Sequence, residues 1–463
     1  FLMEKFASNE GGRGGAFTRL VQRGSLRTTL RKKMLIDEGY DFLRGRPIES
    51  AIDTLGTHPL QLGRFGKVQL VRLRGRRLSS SKAPLTPVSP GSPASTAAKT
   101  DQTFALRTVT KAAALRLRLA RYLREERRIL LGKQHPFIQT LIATGQDQEH
   151  VYMLYEFAHG GTLFTHLRAA GRFEPDRARF YAVQLALALG HLHERCGAAP
   201  IVHRDVRPES VLLDRLGFVK LSSFIYVKQL DADHPHTWTL CGTPEYSAPE
   251  MLLESGHDRA VDWWAFGVTV FELLAGFPPF CAESPLATSA AVIAGHFTMP
   301  RHFDPDARAL LRGLLQPMPR QRLGNLRRAD GGAVVGAVSG AVVVDNGGCC
   351  GGGARNGADG VLAHAWFKGV ELPALLSRLA EAPLVPVVNG DEDDGNYEVS
   401  RLHGADDAED ASVYSHSTTA VGMADENQVG GASAGSARGT GTAMRGGWLA
   451  SADAEEAALL ADF

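Results

Sequence analysis

The stretch that most constrains the fold is residues 201–225, IVHRDVRPESVLLDRLGFVKLSSFI. Two short apolar runs, Ser210 to Leu213 and Phe218 to Leu221, flank the turn-forming Asp214-Arg215-Leu216-Gly217. The spacing predicts a β-hairpin with a polar loop at each end. The first loop holds His203, Arg204, Asp205, Arg207 and Ser210; the second holds Ser223, Phe224 and Ile225. Any chemistry would sit in those loops. Taken alone, the stretch also fits a surface hairpin that happens to contain His-Arg-Asp.

Bulk properties narrow the class. The length of 463 residues, with 44% hydrophobic and 22% charged, fits roughly two to three soluble globular domains. Lys+Arg 51 against Asp+Glu 50 leaves a net charge of +1, so nothing global points to nucleic acid or a membrane surface. The five cysteines contain no C-x-x-C pair, and Cys349-Cys350 lies in a glycine-rich tract, which argues for a reducing compartment rather than a zinc site. No signal peptide opens the chain, and no run is long and apolar enough to span a bilayer. A cytoplasmic or nuclear location is expected. The chain begins at Phe1, so a missing N-terminal stretch is also expected.

The texture changes along the chain. Residues 1–50 form an arm whose section 11–34 holds Arg13, Arg19, Arg23, Arg27, Arg31, Lys32 and Lys33 and no acid; a solvated, partly disordered segment is expected. From Ala51 to Phe157 short strands dominate, with Gly63 and Gly66 opening one of them. The Ser/Pro/Ala tract at 74–102 cannot bury a core and is expected to be a disordered insertion; its Ser-Pro and Thr-Pro pairs are candidate phosphosites. Phe104-Ala105-Leu106-Arg107 reads as a strand, and Lys111 to Leu130 as one basic amphipathic helix. After a hinge at Ala158-His159-Gly160-Gly161-Thr162, residues 163–168 and 174–193 show helical apolar spacing. A second insertion, 330–360, is Gly/Ala/Val-rich without a helical period.

Three further stretches carry a resemblance: HTWTLCGTPEYSAPE at 236–250, AVDWWAFG at 260–267, and Arg322 within RQRLGN at 320–325. Together with HRD at 203–205, they make residues from about Leu55 to Val387 similar to the AGC group of Ser/Thr protein kinases, the cAMP-dependent kinases above all. The resemblance implies an α+β fold of two lobes. Residues 51–157 would be the β-rich small lobe with one main helix, 158–378 the mainly helical large lobe, and 379–463 an AGC-type tail, partly disordered. Tyr397 would be the tail aromatic that closes over adenine, and Leu460 to Phe463 the plug for the small lobe's helix.

By the same resemblance, ATP is the candidate cofactor. Gly63, Gly66, Val68, Ala105, Arg107, Glu126, Glu156 and Leu212 would surround it, with Arg107 in place of the usual Lys and Glu126 as its carboxylate partner. The first glycine of the loop falls on Gln61; Gly56 would supply it only if residues 58–62 were an insertion. Asp205 would be the base, with Arg207 beside it in place of Lys. The two metal ligands are degenerate: Ser210 stands for the Asn and Ser223 for the Asp of D-F-G, and neutral hydroxyls are poor ligands for Mg²⁺. Strong Mg²⁺ binding is not expected. Thr239 matches the activation-segment phosphosite, with Arg204 and Lys228 as cationic partners, and Tyr122 replaces a basic partner from the helix. Glu209 and Glu272 match residues that read arginines in substrates, whereas Thr162 replaces a third.

Two functions follow from this pattern. The first is a pseudokinase with lost or severely weakened phosphotransfer, acting through a protein substrate, a pseudosubstrate or a regulatory-subunit-like partner. The second is a working Ser/Thr kinase with a substitute metal ligand. In either case His203, Phe224 and Asp262 are expected to form the internal column that couples the lobes.

Overall fold

The computed structural model describes residues 43, 47–56, 58–63, 65–74, 103–131, 135–194, 199–231, 233–326, 356–397 and 456–460. The basic arm at 11–34, the insertion at 75–102, most of that at 330–360, the tail from 398 to 455 and Phe463 lie outside them.

A six-stranded antiparallel sheet is built from β1 (Ile52–Leu55), β2 (Gln61–Gly63), β3 (Gly66–Leu73), β4 (Thr103–Thr110), β5 (Leu141–Gln146) and β6 (His150–Glu156). The order is β1-β3-β4-β6-β5, with β2 folded back on β3. In β4 the side chains alternate, as strand geometry requires. Phe104 and Leu106 join Val71, Ile142, Tyr152 and Leu154 in one buried cluster. Ala105 and Val109 join the main core on the opposite side, and Arg107 shares their face. This alternation is what turns a guanidinium inward.

Before Gly63 the strand is interrupted. Leu55 pairs with Leu70 and Gln61 with Val68, so the chain between Leu55 and Gln61 carries extra residues opposite the single Gln69. Gly56, with φ 76, stands where these extra residues begin, which is the arrangement of an insertion ahead of Gly63.

The helix expected over 111–130 is two helices, α1 (Lys111–Arg116) and α2 (Ala120–Leu130). The break is a Schellman-type ending: Leu119 N–H donates to Ala114 O at 2.8 Å, with Arg118 left-handed at φ 50. Arginine fills the place where a glycine would have advertised the stop. No residue just before α2 offers a side-chain cap; instead Glu456 Oε2, from the far tail, accepts from Ala120 N at 3.0 Å. Leu460, one helical turn on, is buried in the main core.

The larger lobe begins with α3 (Leu163–Ala170) and α4 (Pro175–Glu194), and centres on α5 (Ala260–Ala275), of which all but Ala275 are buried. The hairpin read from the sequence is present: Val211–Leu213 pairs with Val219–Leu221, with Val211 opposite Leu221. Arg322 and Glu250 form a fully buried bidentate pair at 2.6 and 2.9 Å, and the guanidinium also lies over Trp264. No helix among the described residues is long and apolar enough to cross a membrane.

Candidate active site

The polar loop of the hairpin is fixed from below by α5. Asp262 accepts from His203 N and Arg204 N, both at 2.8 Å, and lies 2.8 Å from His193 Nε2. Burial opposes its charge, but the bond to His193 and the nearby His203 hold the carboxyl below its ordinary range. His203 then meets Phe224 edge-on, with ring centroids 4.8 Å apart, and its Nε2 lies 2.9 Å from Ser222 O. The column of His203, Phe224 and Asp262 is therefore assembled. Ile225 is buried within a 3₁₀ turn, Phe224–Tyr226, and keeps negative φ, as its branched side chain demands.

Asp205 is buried beside Arg207, whose Nε is 3.5 Å away, and accepts from Thr243 Oγ1 at 3.2 Å. Arg207 also reaches Glu209 at 3.7 Å. On the opposite wall, Arg107 Nη2 donates to Glu126 Oε2 at 2.5 Å, and Tyr155 Oη donates to Glu126 Oε1 at 2.7 Å. Burial works against the guanidinium's charge, yet the adjacent Glu126 raises its pKa above the ordinary arginine value. Tyr155, a residue that the sequence reading passed over, thus ties the strand bearing it to α2. Phe65, at the tip of the glycine-containing hairpin, packs edge-on against Tyr226 at 5.5 Å and so joins the hairpin to the turn Phe224–Tyr226.

At the two positions that the resemblance sets against Mg²⁺, the side chains are hydroxyls. Ser223 has φ 61 and ψ 53, a left-handed conformation that a carboxylate-bearing Asp tolerates better than most residues, but it presents only a hydroxyl. Ser210 is buried, and its Oγ has no hydrogen-bond partner. Among the described residues no group of three or more His, Cys, Asp or Glu side chains could hold a metal ion. A hard divalent cation would find two neutral oxygens where it needs charge.

Ala105 is buried, and Val68 and Leu212 are partly buried against the same cluster. The Glu156 carboxylate is engaged by the chain itself: Oε1 accepts from Lys220 Nζ at 2.8 Å, from Thr140 N at 2.9 Å and from Thr140 Oγ1 at 3.0 Å. Tyr397 stacks on Phe157 at 5.6 Å and donates to Ala158 O at 2.7 Å, which brings the tail onto the hinge. Gly63 and Gly66 face each other across β2 and β3.

The activation segment is ordered. Thr237 is buried, bridges to His257, and its Oγ1 accepts from Lys228 Nζ at 3.0 Å. Trp238 is 54% exposed and rests on Gly256, where an added Cβ would lie 2.9 Å from the indole nitrogen. Thr239 is half-buried, and Arg204 Nη1 is buried without a hydrogen-bond partner. Tyr122 is buried with its ring edge-on to Tyr226.

Glu209 is half-buried, whereas Glu272 is fully buried. Glu272 is 0% exposed, receives Arg168 Nη2 at 3.1 Å and the Tyr246 hydroxyl, and has its pKa pushed up to about 7, mainly by burial. An incoming arginine would meet Glu209 first and compete with Arg168 for Glu272.

A twisted antiparallel lobe with an ion-paired inner helix, a hinge, and a helical lobe carrying the HRD loop define a protein kinase. The protein kinase domain profile matches residues 93–329, about half of the chain. The chain is 38% identical over 297 residues to the mouse cAMP-dependent protein kinase catalytic subunit PRKX, covering 64% of this chain and 74% of that protein. It is 37% identical over 295 residues to the human PRKX, with 64% and 73% covered. It is 35% identical over 294 residues to the Drosophila melanogaster cAMP-dependent protein kinase catalytic subunit 3, with 64% and 44% covered. The chain belongs to the protein kinase family, within its cAMP-dependent-like Ser/Thr branch.

Proposed function

We propose that this chain is a pseudokinase: a kinase scaffold with phosphotransfer lost or severely weakened, working through protein partners. The observation that carries the reading is the pair Ser223 and Ser210. Ser223 is held left-handed and Ser210 is buried with its hydroxyl unpartnered, and neither brings charge to a metal. Phosphoryl transfer depends mostly on positioning and on neutralising charge at the transferring group. Here positioning is retained through Asp262, His203, Phe224 and the Arg107–Glu126 pair, while neutralisation is not. Losing a metal-binding carboxylate costs about two decades of rate or more, near 1.4 kcal/mol per decade.

The partner-binding face is the large-lobe surface around Trp238, with the half-buried Glu209 as the acid for an arginine. Exposed aromatics of this kind dominate interfaces. The relatives are named as catalytic subunits of cAMP-dependent protein kinase, so a regulatory-type protein bearing a pseudosubstrate is the partner class to test. The surroundings of such a scaffold are cytoplasmic or nuclear.

A second reading, a working kinase of low turnover, draws on Asp205, which is held by Thr243 and Arg207 as a base would be. The two separate by label transfer from ATP to an arginine-rich peptide with Mg²⁺, comparing the parent with Ser223→Asp/Ser210→Asn/Arg107→Lys. A parent at least about a hundredfold below the triple variant supports the pseudokinase; measurable transfer by the parent within about tenfold of the variant supports the working kinase, and no transfer by either places an independent block in the glycine-containing hairpin. In parallel, Trp238→Ala is expected to abolish capture by a regulatory-type protein without changing the melting temperature.

A further inference from the structure

A planar base held between Val68 and Ala105 on one face and Leu212 on the other would set one edge against the segment that joins the lobes, residues 156–158. Backbone groups there are what would read it. Two of the carbonyls are already engaged by the chain itself. Gln139 Nε2 donates to Glu156 O at 3.1 Å, and Tyr397 Oη donates to Ala158 O at 2.7 Å. Gln139 is only 9% exposed, and Tyr397 only 7%. A carbonyl oxygen can accept twice, so the engagement matters through space as well as through bonding. The amide of Gln139 touches the oxygen that an amino group would seek. Drawing Glu156 O away leaves a buried amide with a donor unmet, and such a group opposes binding.

We propose that Gln139 determines nucleobase selection in this cleft: together with Tyr397 it closes the edge at Glu156 and Ala158 from within, so that a 6-amino purine is disfavoured before phosphate or metal is considered. Gln139 is a specificity-determining residue, and Tyr397 supports it by holding the second carbonyl. This inference deepens the pseudokinase reading and rests on it. Its test nevertheless uses a different ligand, because adenosine carries no phosphate and needs no Mg²⁺.

Adenosine binding is measured by calorimetric titration for the full chain, Gln139→Val and Gln139→Thr, with circular dichroism and melting temperature recorded for each. Either variant, folded as the parent, is expected to bind adenosine at least about tenfold more tightly than the parent, equivalent to about 1.4 kcal/mol. Tyr397→Phe, which keeps the ring and removes the donor, is expected to give a smaller gain. Unchanged adenosine affinity in both Gln139 variants with parent-like spectra overturns the proposal. So does a parent that already binds adenosine as tightly as they do. Neither result bears on phosphotransfer, which is read separately by label transfer from ATP.

Discussion

Replacing Glu272 by Gln should remove a specific pH dependence of stability. Glu272 sits on α5 with no exposed surface, between Arg168 and the Tyr246 hydroxyl, and its pKa is pushed from 4.5 up to about 7. A raised carboxyl pKa means that the folded state holds a proton which the unfolded chain has released. The stabilisation is fully present below about 4.5 and is lost as pH rises through about 7. At about 1.4 kcal/mol per pH unit, the full effect is about 3 kcal/mol. Urea unfolding of parent and Glu272→Gln at pH 5 and pH 8 reads this group together with its coupled neighbour Glu209, because the titrations of groups not coupled to it cancel in the difference. The variant should gain on the parent by about 2 to 3 kcal/mol between the two pH values. A difference that stays constant between them would show that Glu272 is ionised throughout, with Arg168 outweighing burial.

Three further outcomes are expected. Arg322→Ala leaves Glu250 buried without its partner and should cost about 3–5 kcal/mol, read by urea unfolding; a loss under about 1 kcal/mol would mean that water reaches Glu250. Glu456→Ala removes the remote cap on α2 and should lower stability by about 1 kcal/mol, with faster amide exchange confined to the first turn of that helix. Phosphorylation of Thr239 should raise the melting temperature, since Arg204 Nη1 lies buried without a hydrogen-bond partner, and Arg204→Lys should blunt that rise if this cation is the receptor.

Those features that depend on local pattern were legible in the sequence. The hairpin at 210–221 follows from two apolar runs about a turn, and the pairing of Arg107 with Glu126 from the resemblance. What escaped was written in residues that do an unusual job. Arg118 ends a helix in the left-handed position that glycine normally marks, so the helical pattern ran through the break unmarked. The cap of α2 comes from Glu456, more than three hundred residues away in sequence, and no local signal points to it. Gln139 and Tyr155 looked like ordinary members of apolar strands. Their roles appear only when the fold brings a carbonyl to one and a glutamate to the other. The same physical rule operates in all of these cases. A buried donor must find an acceptor, and in this cleft the nearest acceptors are the chain's own.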